Sequence, residues 1–452
     1  MLNLRNKHHA YFLLITTLAI CVRIWFIINI PCEPLSDFTI YQQIGTNIFM
    51  KNGHTYLGRP IAFQGMGYPM LLGYFYRFIG SNNIFLGKIL NVILSSLNLI
   101  VIFLILLKLC KNKFSLYLSY TAIAFIPNYI AYNNVLGSEV LLTCILSIII
   151  YLQICNFNYY IKYISIGILI GLAALTKPFF LVYPLIIALT EWLKNKNLKK
   201  SLKLIIITYI FLCITISPWT YRNYKKFNMF IPVSYNGGYV LFINNNDNNT
   251  TGAWMPVSAV DVSDEVKSQF LELGFKYRTP LEDEKSQIFL TPKLDKIFKQ
   301  EAIKWILNHP LKFSHLGITR VNNTFFNGCG DIYEWAMNSP KESNFSKLLK
   351  NDFLYWIFNK YIYILSFSGF IYILFNLKNI FVCLFKKTIT MEYKKSILFF
   401  NIIFFILISF AFEGQQRYNF PVLFLFSICL TEYITKIITS LKVKTIIKYK
   451  SY

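Results

Sequence analysis

Acidic residues are scarce in this chain. Its 452 residues carry 21 Asp and Glu against 45 Lys and Arg, and charged residues make up only 15% of the total. A soluble domain carries about 25% charge, so the deficit argues against an ordinary soluble fold. No CxxC pair occurs among the nine cysteines, which argues against a zinc site built on thiolates. Seven of the nine lie in or beside apolar runs, where cysteine behaves as a small hydrophobe. Cys32 and Cys329 fall on the same side of the expected topology, which leaves one pairing open. The chain also lacks a Gly-rich phosphate loop, an HExxH motif and internal repeats. The missing repeats argue against a transporter built on inverted halves.

Long apolar runs are what the chain does have. Apolar residues make up 55% of the sequence, and mean hydropathy is +0.46. The composition predicts an α-helical multi-pass membrane protein. About ten spans are expected: 11–30, 84–107, 115–131, 135–154, 163–175, 179–193, 204–219, 355–377, 397–412 and 419–437. The N-terminal run lacks a small-x-small cleavage site and reads as an uncleaved first span. With the N-terminus inside, the short inner segments hold 21 basic residues and the short outer ones few. That pattern absorbs the net charge of +24, so no nucleic-acid partner is read from it. Two outer segments are long: a first loop at 31–83 and a large loop at 220–354. The domain reading is a membrane module at 1–219 with its first loop, a mixed α/β extracytoplasmic domain at 220–354, and late spans with a basic tail at 355–452.

The large loop takes 14 of the 21 acids. Of the seven left, Glu191, Glu392 and Glu432 fall at inner ends of spans, whereas Glu33, Asp37, Glu139 and Glu413 all fall at outer ends. Ionisable groups at a membrane boundary are functional candidates. Arg23, Lys177, Arg222 and Arg417 are expected near the same level, which predicts a polar cavity at the outer leaflet. In "PLSDFTIYQQIGTNIFMKNG", Ser36 is placed to cap a surface-lying helix with Asp37 in its first turn. Phe38, Tyr41, Ile44 and Ile48 form the apolar stripe of that helix, and Gly53 would stop it. Glu413 and Arg417 stand four apart, but Gly414 and Pro421 predict a turn there.

Several segments in order resemble a known family. They are "SDFTIYQQIG", "FQGMGYPMLLGYFYRFIG" (63–80), "GSEVLL" (137–142), "GLAALTKP" (171–178), "SPWTYRNYKKFNMFIPVSYNGGYVLFINNN" (217–246) and "QQRYNFPVL" (415–423). Together they resemble the GT-C superfamily of membrane glycosyltransferases, in particular the bacterial relatives of protein O-mannosyltransferases and aminoarabinose transferases. Gln64 and Gly65 stand where relatives often have prolines. Asp37 follows Ser36 where eukaryotic members have an Asp-Glu pair, which leaves metal dependence open.

The resemblance implies transfer of a sugar from a polyprenyl-phosphate donor to a cell-envelope acceptor (lipid, glycan or protein) outside the plasma or inner membrane. It casts Asp37 as general base and Glu139 as a second acid orienting the acceptor or a metal. Arg222 and Arg417, with Lys177, would hold the donor phosphate. Tyr41, Tyr68, Asn236 and Glu413 are expected around the substrates, and a divalent metal, if used, would draw on His54. The "SYNGGYVLFINNN" stretch reads equally as sugar contact or as a turn feeding a strand. Two rival readings are a flippase or transporter of lipid-linked sugars and an envelope polysaccharide polymerase or ligase.

Overall fold

The computed structural model describes residues 2–110, 112–274, 276–277, 288–386 and 392–450, with side chains placed from 9 to 440. Seven helices are long and apolar enough to cross a membrane: His9–Asn29, Ile84–Leu109, Tyr159–Thr176, Leu198–Phe227, Asp352–Phe385, Tyr393–Ala411 and Gln416–Ser440. The chain therefore has a multi-pass helical membrane fold. The other three expected spans are shorter or broken. The 115–131 run is split into α5 (Lys113–Ala124) and α6 (Pro127–Ala131), because Pro127 cannot continue the α5 hydrogen-bond ladder. α7 is only Glu139–Ile154, and the 179–193 run is a 3₁₀ turn from Pro178 followed by α9 (Tyr183–Asn195).

The longer helices are α1 (Leu2–Asn29), α4 (Ile84–Leu109), α8 (Tyr159–Thr176) and α10 (Leu198–Phe227). α8 and α10 pack closely through small residues: a Cβ added at Gly167 would lie 2.7 Å from the Thr208 carbonyl, and one at Gly171 2.6 Å from Thr215 Cβ. Gly167-x-x-x-Gly171 is the spacing that lets helix backbones approach inside a bilayer. Arg23 of α1 is fully buried. It donates to Ser95 Oγ (2.8 Å) and to the carbonyls of Ala19 (2.9 Å) and Ala124 (3.0 Å), so it ties α1 to α4 and α5 and does not join the outer cavity.

The first loop builds α2 (Asp37–Phe49), a two-residue hairpin of β1 (Thr55–Tyr56) and β2 (Arg59–Pro60), and α3 (Gly67–Ile79). The apolar stripe of α2 is buried as expected, through Phe38, Tyr41, Ile44 and Ile48. Its start differs from the expectation. Ser36 has φ 53° and its side chain makes no cap, so Asp37 is the first helical residue and its carboxylate is free for other partners. The helix ends at Phe49, before Gly53, with Met50 as its cap.

The large loop was expected to be mixed α/β. Among its described residues it is helical and holds no strand. "GGYVLFIN" forms α11 (Gly237–Asn244), because Asp295 accepts the Tyr239 N–H at 3.0 Å and so caps its first turn. α12 (Asp264–Glu272), α13 (Leu294–Asn308), α14 (Pro310–Phe325), a π-turn at Ile332–Ala336 and α15 (Asn344–Leu349) follow. Then come α16 (Asp352–Phe385), α17 (Tyr393–Ala411), a 3₁₀ turn at Gln416–Val422 and α18 (Leu423–Lys450). Phe242 of α11 packs on Phe298 of α13 at 5.1 Å. Cys32 and Cys329 are both free thiols, and Cys32 donates to the Trp335 carbonyl at 3.1 Å.

Candidate active site

The first loop meets the end of α8 at two glycines. A Cβ at Gly65 would run into the Thr176 carbonyl, and one at Gly67 into the Thr176 hydroxyl. The "FQGMGYP" and "LTKP" segments are therefore one contact, which sets Gln64 and Lys177 beside the same space. Gly65→Ala is expected to cost about 1–3 kcal/mol through overpacking. A thermal-melting comparison of detergent-solubilised variants checks this, and an unchanged transition would show that the loop yields instead.

The 3₁₀ turn Gln416–Val422 supplies the opposite wall. Pro421 has no N–H to continue a regular helix, and Tyr129 braces the turn by donating to the Phe420 carbonyl (3.0 Å) and accepting from the Phe424 N–H (3.1 Å). Arg320 is fully buried and donates to the Phe410 carbonyl at 2.9 Å, at the end of α17, and to Asn245 Oδ1 at 2.9 Å. A Cβ at Gly414 would press on the Arg320 backbone.

Between these walls lies a cavity of about 620 Å³. It is lined by Asp37, Tyr41, Gln64, Lys177, Asn236, Glu413 and Arg417 among others. At its floor, Arg417 Nη2 meets Asp37 Oδ2 at 3.0 Å, and Gln64 Nε2 donates to Asp37 Oδ1 at 2.7 Å. Burial by itself would raise the Asp37 pKa, but Arg417 and Lys177 outweigh it and hold the carboxyl below its ordinary value. The Arg417 guanidinium is boxed by the rings of Tyr418 (5.2 Å), Phe38 (5.4 Å) and Trp335 (5.5 Å). Glu413 does not pair with Arg417 directly. It accepts from Gln415 (2.5 Å) and Tyr418 (2.9 Å), and burial raises its pKa above the usual carboxylate value.

A second, more apolar groove of about 310 Å³ adjoins the cavity. Lys177, Asn236, Glu413, Arg417 and Tyr418 line both spaces, while Leu142, Phe179, Phe405, Ile408 and Phe412 line the groove alone. Glu139 lines the groove, is 4% exposed, and has a buried Oε2 without a hydrogen-bond partner among the described residues. Lys177 Nζ lies 5.7 Å from the Tyr418 ring centre and makes no hydrogen bond or ion pair among the described residues. Burial lowers its pKa from the ordinary lysine value, and the charge of Glu139 opposes that shift.

Three expected site residues lie elsewhere. Arg222 donates to the carbonyls of His54 (2.7 Å) and Ile61 (3.0 Å) and stacks on Trp219 at 4.6 Å, so it clips the first loop to α10 and does not line the cavity. Tyr68 is fully buried behind Tyr41 and donates to Asn91 at 3.1 Å. His54 packs against Trp219 at 5.1 Å, and burial beside Arg222 lowers its pKa to about 4. Sequence reasoning missed Gln64, whose departure from the family's proline was its only signal, and it missed Trp254, Asp331 and Trp335 in the cavity lining, whereas Tyr239 lay within the "SYNGGYVLFINNN" stretch it had offered for sugar contact.

His54, the expected metal ligand, lines neither the cavity nor the groove. Both Asp37 oxygens are engaged by Gln64 and Arg417, and both Glu413 oxygens by Gln415 and Tyr418. No group of three His, Cys, Asp or Glu side chains comes together among the described residues. The positive charge at this site comes from Arg417 and Lys177.

No protein-family profile matches the chain, and no curated protein matches it significantly in sequence. Solved structures do resemble it. The apo oligosaccharyltransferase of Archaeoglobus fulgidus aligns over 97% of this chain at 11% identity, with a TM-score of 0.51. The archaeal oligosaccharyltransferase AglB from the same organism, in complex with an inhibitory peptide and a dolichol-phosphate, aligns over 97% at 12% identity and a TM-score of 0.49. ArnT from Cupriavidus metallidurans, bound to undecaprenyl phosphate, aligns over 91% of this chain and 78% of its own at 10% identity and a TM-score of 0.45. The chain spans about half the length of the oligosaccharyltransferases, 52% in each case. The fold is thus similar to that of the Archaeoglobus fulgidus oligosaccharyltransferase.

Proposed function

We propose that this chain transfers a glycosyl residue from a polyprenyl-phosphate-linked sugar to a cell-envelope acceptor, on the extracytoplasmic face of a plasma or inner membrane with the N-terminus cytoplasmic. The observation that carries this reading is the Asp37–Arg417 pair (3.0 Å) at the junction of a polar cavity and an apolar groove. The groove suits an isoprenoid chain and the cavity a sugar and its acceptor. In the reaction, an acceptor hydroxyl forms a new bond to the anomeric carbon as the bond from that carbon to the phosphate oxygen breaks. Asp37 takes the hydroxyl proton. Arg417 and Lys177 stabilise the charge growing on the departing lipid phosphate. Glu139, with an unsatisfied oxygen on the groove wall, orients the ammonium of Lys177.

The direct experiment incubates the purified chain in lipid nanodiscs with radiolabelled polyprenyl-phosphate sugars and measures sugar leaving the lipid. Release is the expected result, and no release from any such donor overturns the reading. Lys177→Gln is expected to raise the donor KM about tenfold, the equivalent of one lost charge-assisted contact. An unchanged donor KM would remove Lys177 from the phosphate site.

A further inference from the structure

Trp254 is a large aromatic residue left 44% exposed on the cavity wall. The chain around it is held firmly. The Asn249 side chain donates to the carbonyls of Ile243 (2.8 Å) and Ala253 (2.9 Å) and accepts from the Gly252 N–H (2.8 Å). Gly252 has φ 68°, the left-handed region that favours glycine, and a Cβ there would also press on the Arg320 side chain. The Gly252 carbonyl accepts from the Gly414 N–H at 3.0 Å, which joins the Trp254 loop to the turn carrying Arg417. The indole Nε1 donates to the Tyr239 hydroxyl at 3.1 Å, so the ring is tied by its polar edge. A flat apolar surface fixed in this way costs little ordering entropy when a ligand stacks on it.

Carboxamides line the same cavity. Asn327 lines the same wall, and its side chain makes no hydrogen bond among the described residues. Asn236 spends its oxygen on Ser234 (2.9 Å) and keeps its NH₂ unspent. Carboxamides offer donors and an acceptor at spacings that suit neighbouring hydroxyls. Charge narrows the ligand further. The only cations lining the cavity, among the described residues, are Lys177 and Arg417, both shared with the groove, and the cavity lining also carries the carboxylates Asp331 and Glu334. An anionic acceptor would meet repulsion from those carboxylates. Among the described residues, the only strands an extended peptide would find to pair with are the two-residue hairpin of the first loop.

Building on the glycosyl-transfer reading, we infer that the acceptor is a neutral saccharide, stacked on Trp254 and held through its hydroxyls by Asn327 and Asn236. The test uses the full chain in nanodiscs with labelled polyprenyl-phosphate sugar and three acceptor probes: a neutral trisaccharide, a Ser/Thr-containing peptide and a diacylglycerol. The label is expected on the trisaccharide. Trp254→Ala should raise the trisaccharide KM about tenfold, as for one lost stacking contact, with kcat changed less. Trp254→Phe should recover most of that loss, which a merely structural tryptophan would not explain. Transfer to the peptide or the diacylglycerol in preference to the trisaccharide, or a trisaccharide KM indifferent to Trp254→Ala, would overturn this inference and leave the transfer reading standing. Failure to release sugar from the donor under any condition would overturn the transfer reading, and this inference with it.

Discussion

Asp37→Asn is expected to lower glycosyl transfer by a factor of about 10²–10⁴, the range a positioned general base supplies. Asn keeps the size of the side chain and still accepts from Arg417, so insertion and folding should persist. Quantifying transferred sugar at saturating donor, beside a size-exclusion profile of the variant, separates the two effects. Turnover near that of the unaltered chain would remove Asp37 from the proton transfer. The pH dependence gives a second check. Arg417 and Lys177 hold the Asp37 pKa below its ordinary value despite its burial. Asp37 therefore stays ionised down to pH values below the usual carboxylate range, and its stabilising contribution is lost only as pH falls through that lowered pKa. The acid limb of the rate profile should lie correspondingly low.

Arg417→Lys is expected to cost about 10²–10³ in kcat, in line with loss of a positioned electrostatic stabiliser. The charge survives this change, but the planar fork does not. Arg417 meets Asp37 while its flat guanidinium lies among Tyr418, Phe38 and Trp335, and an ammonium reproduces neither relation well. In Arg417→Ala the Asp37 pKa should rise, because its main charged partner is gone, and the acid limb should move to higher pH. A complete pH–rate profile of both variants measures this. A limb that stays in place would show that Asp37 is not the group being titrated.

The sequence carried the membrane class, the buried stripe of α2 and the grouping of Asp37, Glu139 and Glu413, though not of Glu33, because hydropathy, helical period and charge asymmetry are local signals. It did not carry pairing. Arg417 lies 380 positions from Asp37, and nothing within either segment names the other. Arg222 looked equivalent to Arg417 at the end of a span, yet its donors go to backbone carbonyls of the first loop, an acceptor that leaves no mark in side-chain identity. The helix at α11 was hidden for a similar reason. Its Gly pair and Asn cluster suggest a turn, and the Asp295 that caps it lies on another helix. Trp254 and Asp331 were lost among the many polar residues of the large loop, which no periodicity sorts. Helix breaks were also hidden, because apolar composition continues through Pro127 and Pro178, where the regular helix does not.

With Arg417 clasped to Asp37, the proposed site is a closed circuit: the proposed base is paired with the very cation that the leaving group would need. A donor phosphate that recruits Arg417 opens that circuit and frees the carboxylate in the same movement. On the proposed chemistry, donor before acceptor is the order that this one 3.0 Å contact favours.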